Sequence, residues 1–329
     1  IVNQLMDGLL IVSNEGQVQL LNRSLRKMFH VTESNPEGKD FIQVIPQYQL
    51  VELVRKTVET GKDQGDFIEL KAEGKYLLAL TTLLQGQKDG GVLILVQDRT
   101  KNRELEEMRQ VFVSNVSHEL RTPLSSLKAL TETLQGAVDQ DPQAAKRFLQ
   151  MMDVEIDKLS QMVLELLELS RIESGRVELN KKSIPVSDLI SPAVERMRLQ
   201  AERSGLTLDV EIAENLPLIH VDAERVEQVL VNLIHNAIKF TPAGGSILVS
   251  TNQRGNEVLI SVKDTGIGIP EKDIPHIFER FYKVDPARAT GGTGLGLAIA
   301  RHLVEAHQGR IWAESKEGEG ARFILALPV

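Results

Sequence analysis

Two long segments with helical periodicity lie in the middle of the sequence and limit the folds open to this chain. The first runs from Lys101 to about Gln135 and the second from Gln143 to about Arg171. Residues on one face recur at coiled-coil spacing: Leu105, Met108, Phe112 and Asn115 in the first segment, and Met152, Ile156, Leu159, Val163 and Leu166 in the second. Gly136 and the stretch from Asp139 to Pro142 predict a break between them. Such a hairpin buries its apolar stripe only against a second hairpin, so the sequence predicts a four-helix bundle in a homodimer.

The sequence before these helices, residues 1–98, predicts a small α/β domain. The turn residues Asn14–Gly16 separate the apolar run Leu9–Val12 from the alternating stretch Gln17–Leu21, a pattern typical of a hairpin. Asn22 is predicted to cap the helix that follows. Three further strands are predicted at Asp66–Leu70, Tyr76–Leu84 and Val92–Gln97, with a turn at Asp89–Gly91 between the last two.

The sequence after the helices, residues 176–329, alternates strand-like and helix-like segments and predicts a mixed sheet with helices on one face. The predicted strands are Leu206–Ile212, Ser246–Thr251, Glu257–Lys263, Gly309–Glu314 and Arg322–Leu327. The predicted helices are Arg225–Phe240 and Gly296–His307. The chain is therefore predicted to be a multidomain α+β protein with domains at residues 1–98, 99–175 and 176–329.

Composition argues against several classes of function. The net charge is -8, whereas nucleic-acid binders more often have a basic face, so we expect no DNA or RNA partner. The chain has no cysteine, which removes disulfides and thiolate metal sites. No apolar run approaches the roughly 20 residues that span a bilayer. The sequence begins at Ile1 rather than at a methionine, and we expect a fragment of a longer protein.

The stretch from Ser117 to Leu124 places a histidine beside a carboxylate on the first predicted helix. His118 is a candidate nucleophile, because Glu119 can accept a hydrogen bond from one ring nitrogen and leave the other lone pair free to attack. Pro123 should loosen or bend the helix just after this site. Thr122 lies four residues after His118 on the same helical face. A lone histidine on a helix is usually an ordinary surface residue, so this interpretation depends on the motifs downstream.

Asn232 and Asn236 are four residues apart on one predicted helix, with apolar residues beside them. Their shared face should therefore lie next to a core and look into a cleft. Amide oxygens are hard ligands that suit Mg²⁺, which takes its remaining ligands from water and phosphates. Lys239, three residues further, supplies a charge for those phosphates. The helix is thus a candidate site for a metal and a nucleotide.

Two glycine-containing motifs complete the candidate nucleotide site. Asp264 precedes Gly266 and Gly268, whose lack of side chains lets the backbone approach a flat ligand. The carboxylate can accept the exocyclic amine of adenine, which favours ATP over GTP. A second glycine-rich turn at the start of a helix can bind an anion through its backbone amides. Its residues are Gly292, Thr293, Gly294, Leu295 and Gly296.

These motifs resemble the H, N, G1 and G2 boxes of the bacterial sensor histidine kinases, and Phe278–Lys283 resembles the F box of that family. The resemblance covers the chain from about Leu105 to the end. It implies a dimerisation and phosphotransfer hairpin followed by a Bergerat-type α/β ATP-binding sandwich. The order of elements in residues 1–98 resembles a PAS domain.

The resemblance also implies roles for individual residues. His118 would receive the γ-phosphoryl group of ATP and pass it to an aspartate on the receiver domain of a response regulator. Asn236 would be the principal Mg²⁺ ligand, with Asn232 assisting. Thr122 would orient the water that dephosphorylates the regulator.

The F box implies a lid over ATP that includes Tyr282 and Lys283. Lys283 stands where many relatives have arginine, so it can reach a phosphate but cannot bind it in bidentate fashion. The segment Asp285–Thr290 is short for the lid of this family.

Many kinases of this family are anchored in membranes by upstream helices, and we expect this chain to be the cytoplasmic portion of such a sensor. Two other functions remain open. One is an ATPase clamp of the gyrase or chaperone kind without phosphohistidine; Asn232 argues against it, because such ATPases usually place a glutamate there. The other is a scaffold that binds nucleotide without catalysis.

Overall fold

The computed structural model describes residues 5–84, 90–137, 141–173, 179–284 and 292–329. Its contacts divide the chain into two compact units, Ile1–Ser114 and Asn115–Val329. Three predicted features lie wholly or partly outside the described residues: the turn at Asp89–Gly91, the break between the two long helices and the lid segment Asp285–Thr290. Within the described ranges, no helix combines the length and the hydropathy that a membrane crossing requires.

The first unit contains a five-stranded antiparallel sheet in the order β2-β1-β5-β4-β3. Its strands are β1 (Gly8–Ser13), β2 (Val18–Leu21), β3 (Gln64–Leu70), β4 (Lys75–Leu84) and β5 (Gly91–Asp98). Three helices lie between β2 and β3: α1 (Arg23–Met28), α2 (Phe41–Val44) and α3 (Tyr48–Thr60). Alternate residues of β1 and β5 point into the core, as the period of a strand requires. The strands and helices match the predicted α/β pattern.

Asn22 joins the first strand to the first helix. Its buried side chain accepts hydrogen bonds from the Leu25 amide at 3.0 Å and the Leu9 amide at 2.9 Å, and its amide donates to the Asp7 carbonyl. The first of these bonds satisfies a donor that the start of α1 would otherwise leave free. The predicted cap at Asn22 is confirmed.

Two long helices follow, α4 (Thr100–Ala137) and α5 (Pro142–Glu173), close to their predicted limits. Helix α4 continues through Pro123, so this proline does not end the helix. On α5, Ile156 and Val163 of the predicted apolar stripe are 50% and 46% exposed. The stripe therefore remains partly in water in the single chain, as the sequence predicted.

The rest of the second unit contains a mixed five-stranded sheet in the order β11-β12-β10-β9-β7. Strands β7 (Thr207–Glu211) and β9 (Ser246–Arg254) are parallel, and the other pairs are antiparallel. The other strands are β10 (Glu257–Asp264), β11 (Arg310–Ser315) and β12 (Ala321–Pro328). Helices α6 (Ser187–Arg203), α7 (Ala223–Phe240) and α8 (Gly296–Ala306) pack on this sheet, with α7 between the other two.

Sequence reasoning missed three elements of this region: α6 and the paired short strands β6 (Lys182–Ile184) and β8 (Ile219–Val221). A signal for α6 was present, because its buried residues have helical spacing. These are Leu189, Ile190, Ala193, Val194, Met197 and Ala201. The strands β6 and β8 have only three residues each, which is too short for a periodic pattern.

A buried histidine links two of these helices. His307, which follows α8, is 2% exposed; its Nδ1 lies 2.7 Å from the Leu303 carbonyl, and its Nε2 lies 3.0 Å from the Asp222 amide. Nε2 must accept from this amide, so the ring has to be neutral with its proton on Nδ1. Asp222 in turn caps α7 by accepting from the Arg225 amide. Burial lowers the pKa of His307.

We predict that His307 makes the second unit less stable in mild acid. Its folded pKa lies below the unfolded value of about 6.5, so the unfolded chain binds more protons between these two values. The contribution of His307 to stability is therefore complete above about pH 6.5 and decreases as the pH falls towards the folded pKa. His307→Leu should cost about 1–3 kcal/mol at pH 8, because it leaves buried polar groups without partners, and should reduce this pH dependence. Urea unfolding at pH 8 and 5.5 measures both effects.

The partly exposed His302, five residues earlier on α8, provides the matched control. His302→Gln should retain the wild-type difference in stability between the two pH values. An unchanged pH dependence in His307→Leu would show that another group titrates.

Candidate functional site

Helix α7 carries the first group of candidate residues. Its apolar face is buried, and the opposite face carries Asn232, Asn236 and Lys239. The Asn236 amide donates to Asn232 Oδ1 at 3.4 Å, so the two asparagines lie side by side. Burial and the nearby Lys283 lower the pKa of Lys239. The two positive charges therefore repel each other, and an anion bound nearby would reduce this repulsion.

Asp264 ends strand β10 and is 4% exposed. Its Oδ1 accepts hydrogen bonds from the Gly266 amide at 2.8 Å and the Ala321 amide at 3.2 Å. Burial raises the pKa of this carboxyl, and the two backbone hydrogen bonds oppose the rise. Because both bonds use Oδ1, they leave Oδ2 available to accept the amine of a base.

The glycines after Asp264 are required by close packing of the backbone. A Cβ on Gly266 would collide with the Phe240 carbonyl at the end of α7. Gly268 has a φ of 68° and lies against the Lys316 backbone, so a side chain there is excluded on both grounds. The segment after Asp264 therefore stays close to the end of the asparagine helix.

The second glycine turn lies against the polar face of α7. A Cβ on Gly296 would lie 2.6 Å from Asn232 Oδ1, and one on Gly292 would lie 2.9 Å from Lys239 Nζ. Only glycine allows the N-terminus of α8 to approach the asparagines this closely. The structure thus brings together the candidate metal ligands, the candidate phosphate lysine and a helix N-terminus, where anions are favoured.

Tyr282 and Lys283 have different partners. The Tyr282 hydroxyl donates to Asp273 Oδ1 at 2.7 Å, and Asp273 is buried. The preceding Phe281 adopts a left-handed backbone, with a φ of 64°, and its amide donates to the Gly294 carbonyl at 2.9 Å. These bonds hold the chain beside the glycine turn. Lys283 reaches α4, where its Nζ lies 2.6 Å from Glu119 Oε2.

His118 lies on the exposed surface of α4. The neighbouring Glu119 carboxylate accepts from Lys283, and Thr122 Oγ1 lies 3.4 Å from the His118 carbonyl. The hydroxyl of Thr122 therefore makes the weak local bond that is common in helices. Glu119, the residue that follows the candidate nucleophile in the chain, thus contacts Lys283 of the candidate nucleotide site.

Two glutamates on α5 also contact this region, and sequence reasoning did not identify them. Glu165 accepts a hydrogen bond from the Thr293 hydroxyl in the glycine turn. Glu168 accepts from Arg225 at 2.6 Å and from Gln228 at 2.5 Å, both on the first turns of α7. Their spacing of three places them on one face of α5, but that pattern alone could not indicate which residues they contact.

The donor set suits Mg²⁺. Within the described residues, no cluster of three or more histidine, aspartate or glutamate side chains could hold a metal. Asn232 and Asn236 instead offer amide oxygens in the space that Gly296 keeps open. A cation that retains several waters and binds phosphate oxygens fits such a sparse set.

Models of three known domains match the chain. Residues 2–104 match the PAS fold, and residues 108–175 match the His Kinase A (phospho-acceptor) domain. Residues 221–329 match the histidine kinase-, DNA gyrase B- and HSP90-like ATPase. His118 lies in the second match, and the asparagines, Asp264 and the glycine turns lie in the third.

Relatives resemble the chain over its entire length. The sensor histidine kinase WalK of Bacillus subtilis (strain 168) is 34% identical over 343 residues, which cover 100% of this chain and 54% of WalK. The sensor protein SrrB of Staphylococcus aureus (strain NCTC 8325 / PS 47) is 31% identical over 334 residues, with 100% and 55% covered. The chain thus spans about half the length of these relatives.

Solved structures show the same fold. The Acinetobacter baumannii histidine kinase AdeS matches with a TM-score of 0.53 and 25% identity, over 64% of this chain and 97% of that chain. Histidine kinase ThkA, solved in complex with response regulator protein TrrA, matches with a TM-score of 0.58 over 98% of this chain and 95% of that chain. Its 22% identity supports a likeness of fold alone.

We predict that Asp264→Asn weakens ATP binding without destabilising the protein. Asparagine can still accept through Oδ1, but its NH₂ group would face the adenine amine, costing about 1–3 kcal/mol, or about 5- to 150-fold in affinity.

The stability of the variant follows from the pKa of Asp264. Because this pKa is raised, ionisation of the carboxyl opposes folding. The stability that it contributes is complete below the unfolded pKa of about 3.9 and is lost as the pH rises through the folded pKa. The midpoint of thermal unfolding at pH 7.5 should therefore be equal or higher.

Calorimetric titration with ATP and GTP measures the specificity of this variant. ATP affinity should fall more than GTP affinity, because guanine presents an acceptor where adenine has its amine. Equal losses for the two nucleotides, or wild-type affinity for ATP, would contradict the role of Asp264 in recognising adenine.

Proposed function

This chain belongs to the sensor histidine kinase family, and we propose that it phosphorylates His118 from ATP and passes the phosphoryl group to an aspartate of a response-regulator receiver domain. One observation carries this proposal. Lys283, in the candidate nucleotide site, contacts Glu119, which is adjacent to the exposed His118. A candidate acceptor and a candidate ATP site therefore lie side by side in one unit of the chain.

The residues around the glycine turns have separate tasks in nucleotide binding. Asp264 accepts the adenine amine through Oδ2, and the start of α8 receives the phosphates together with Lys239 and Lys283. Asn232 and Asn236 would hold Mg²⁺, which when bound neutralises phosphate charge. The resulting catalysis depends mainly on positioning and on charge neutralisation, as is general for phosphoryl transfer.

The nucleophile requires a neutral imidazole with one free nitrogen. Glu119 accepts the N–H of the other ring nitrogen, which fixes the tautomer. The free nitrogen of His118 forms a bond to the γ-phosphorus as the bond from that phosphorus to the β–γ bridging oxygen breaks. ADP leaves, and the positive charge that develops on the ring is balanced by Glu119.

We propose domain boundaries at residues 1–98, 99–175 and 176–329, with the middle domain as the dimerisation element. The half-exposed Ile156 and Val163 on α5 support a homodimer, because a second hairpin would remove them from water. From the resemblance to the sensor histidine kinases, we further propose that this chain is the cytoplasmic portion of a membrane-anchored sensor.

We also propose that the chain dephosphorylates its response regulator, with the Thr122 hydroxyl orienting the attacking water. Thr122 is exposed on α4 and lies one turn after His118. Its bond to the His118 carbonyl is long, at 3.4 Å, so a water can compete for the hydroxyl.

We predict that His118→Gln abolishes labelling by γ-labelled ATP and leaves ATP affinity unchanged, because His118 accepts the phosphoryl group without binding the nucleotide. The wild-type label should be labile in acid and stable in alkali, as expected of phosphohistidine. His220→Gln, an exposed histidine on β8, is the control and should be labelled normally. Persistent labelling of His118→Gln would refute the assignment, and ATP hydrolysis without any label would favour an ATPase clamp.

We predict that Thr122→Ala separates the two activities. Autophosphorylation should remain near wild type, whereas dephosphorylation of a receiver domain phosphorylated by this chain should fall by about 10-fold or more. Thr131→Ala is the matched control, because the Thr131 hydroxyl makes the same kind of bond to the Leu127 carbonyl on α4, at 2.8 Å. Helicity and dimerisation should be compared first. A folded Thr122→Ala dimer with the wild-type rate of dephosphorylation would exclude the proposed role.

A further inference from the structure

Three glutamates of the helices α4 and α5 contact the ATPase domain, the region that matches the ATPase model at residues 221–329. The pairs are Glu119 with Lys283, Glu165 with Thr293, and Glu168 with Arg225 and Gln228. All three are acceptors of charge-assisted hydrogen bonds, which are stronger than neutral ones. Each of these contacts thus places a carboxylate of α4 or α5 against the ATPase domain.

Two of these carboxylates bind groups that ATP would need. Thr293 belongs to the glycine turn that is proposed to receive the phosphates, and Lys283 would reach the same phosphates. In this structure they contact Glu165 and Glu119 instead. Glu168 differs, because its partners Arg225 and Gln228 lie about two turns and one turn of α7 before Asn232. The three contacts therefore include two within the nucleotide site and one outside it.

The Thr293 hydroxyl can serve only one anion at a time. It has a single proton, which is directed to Glu165, while its oxygen accepts from the Leu295 amide at 3.1 Å. A carboxylate oxygen and a phosphate oxygen are equivalent acceptors for this proton. A phosphate that takes this hydroxyl must therefore displace Glu165.

The charges around Glu165 make it an effective substitute for a phosphate. Burial and the nearby Lys283 lower the pKa of Lys239, and the Lys239 side chain lies beside Gly292 in the glycine turn. Glu165 places its carboxylate at the same glycine turn, where it accepts the Thr293 hydroxyl.

We propose that Glu165 is an internal competitor of ATP: in the nucleotide-free chain it takes the place of a phosphate oxygen at Thr293. This inference rests on the proposed function. Phosphates that enter the site displace Glu165 from Thr293 and draw Lys283 away from Glu119. Glu119 then no longer pairs with Lys283, and its carboxylate is left to the N–H of His118 alone. Nucleotide binding and the preparation of the nucleophile are thereby coupled, and the coupling is reciprocal.

Glu165→Gln tests this competition, because it keeps the size of the side chain and removes its charge. In the 329-residue chain, the affinity for ATP with Mg²⁺ should rise by about 3- to 10-fold, the range expected for loss of one charge-assisted competitor. The affinity for adenosine should not change, because adenosine has no phosphate to compete with Glu165. Calorimetric titration at constant ionic strength measures both ligands.

Two control variants separate competition from other effects of charge and docking. Asp157→Asn removes an exposed negative charge from the same helix, two turns earlier, and should leave both affinities unchanged. Glu168→Gln weakens a contact between α5 and the ATPase domain without touching the glycine turn. It should change ATP affinity less than Glu165→Gln does.

The possible results can be told apart. An unchanged ATP affinity in Glu165→Gln would overturn the competition while leaving the kinase proposal intact. Equal gains for ATP and adenosine, or the same gain in Glu168→Gln, would also overturn it, because simple undocking would then explain the effect. If the wild-type chain bound neither ligand, both the proposed function and this inference would fail.

Discussion

The burial of one face of α7 is the constraint on which the rest of the candidate site depends. Its apolar residues are fixed between α6, α8 and the sheet, so the polar residues of the helix must point away from the core. That requirement directs Asn232, Asn236 and Lys239 towards the start of α8. The glycine turn can lie against them only because it has no side chains at the points of contact. The chemistry of the site thus follows from ordinary core packing.

Much of this arrangement could be predicted from sequence because its causes are local. The spacing of Asn232 and Asn236 places both on one helical face whatever surrounds them, and the alternation in β9 and β10 indicates strands without knowledge of their neighbours. Asn22 could be recognised as a cap because its hydrogen bond joins residues three apart. The three domain matches agree with the fold class that these patterns predicted.

The contacts that join the two helices to the ATPase domain could not be predicted in the same way. Glu165 and Thr293 are 128 residues apart, and Glu119 and Lys283 are 164 apart. No periodicity relates such positions, and glutamates on the polar face of a helix are usually only solvated. His307 was missed for a similar reason, because its partner Asp222 lies 85 residues earlier in the chain. Long-range polar pairs of this kind become visible only once the chain has folded.

Gly296 shows how function limits the stability of this fold. Glycine is a poor helix former, and helix propensity alone would favour alanine at this position. The added methyl group would, however, lie against Asn232 Oδ1 and push apart the two helices that frame the site. A design guided by helix propensity alone would therefore choose alanine at this position and would disturb the candidate nucleotide site. The weakest residue of the helix is retained because the space beside it has a use.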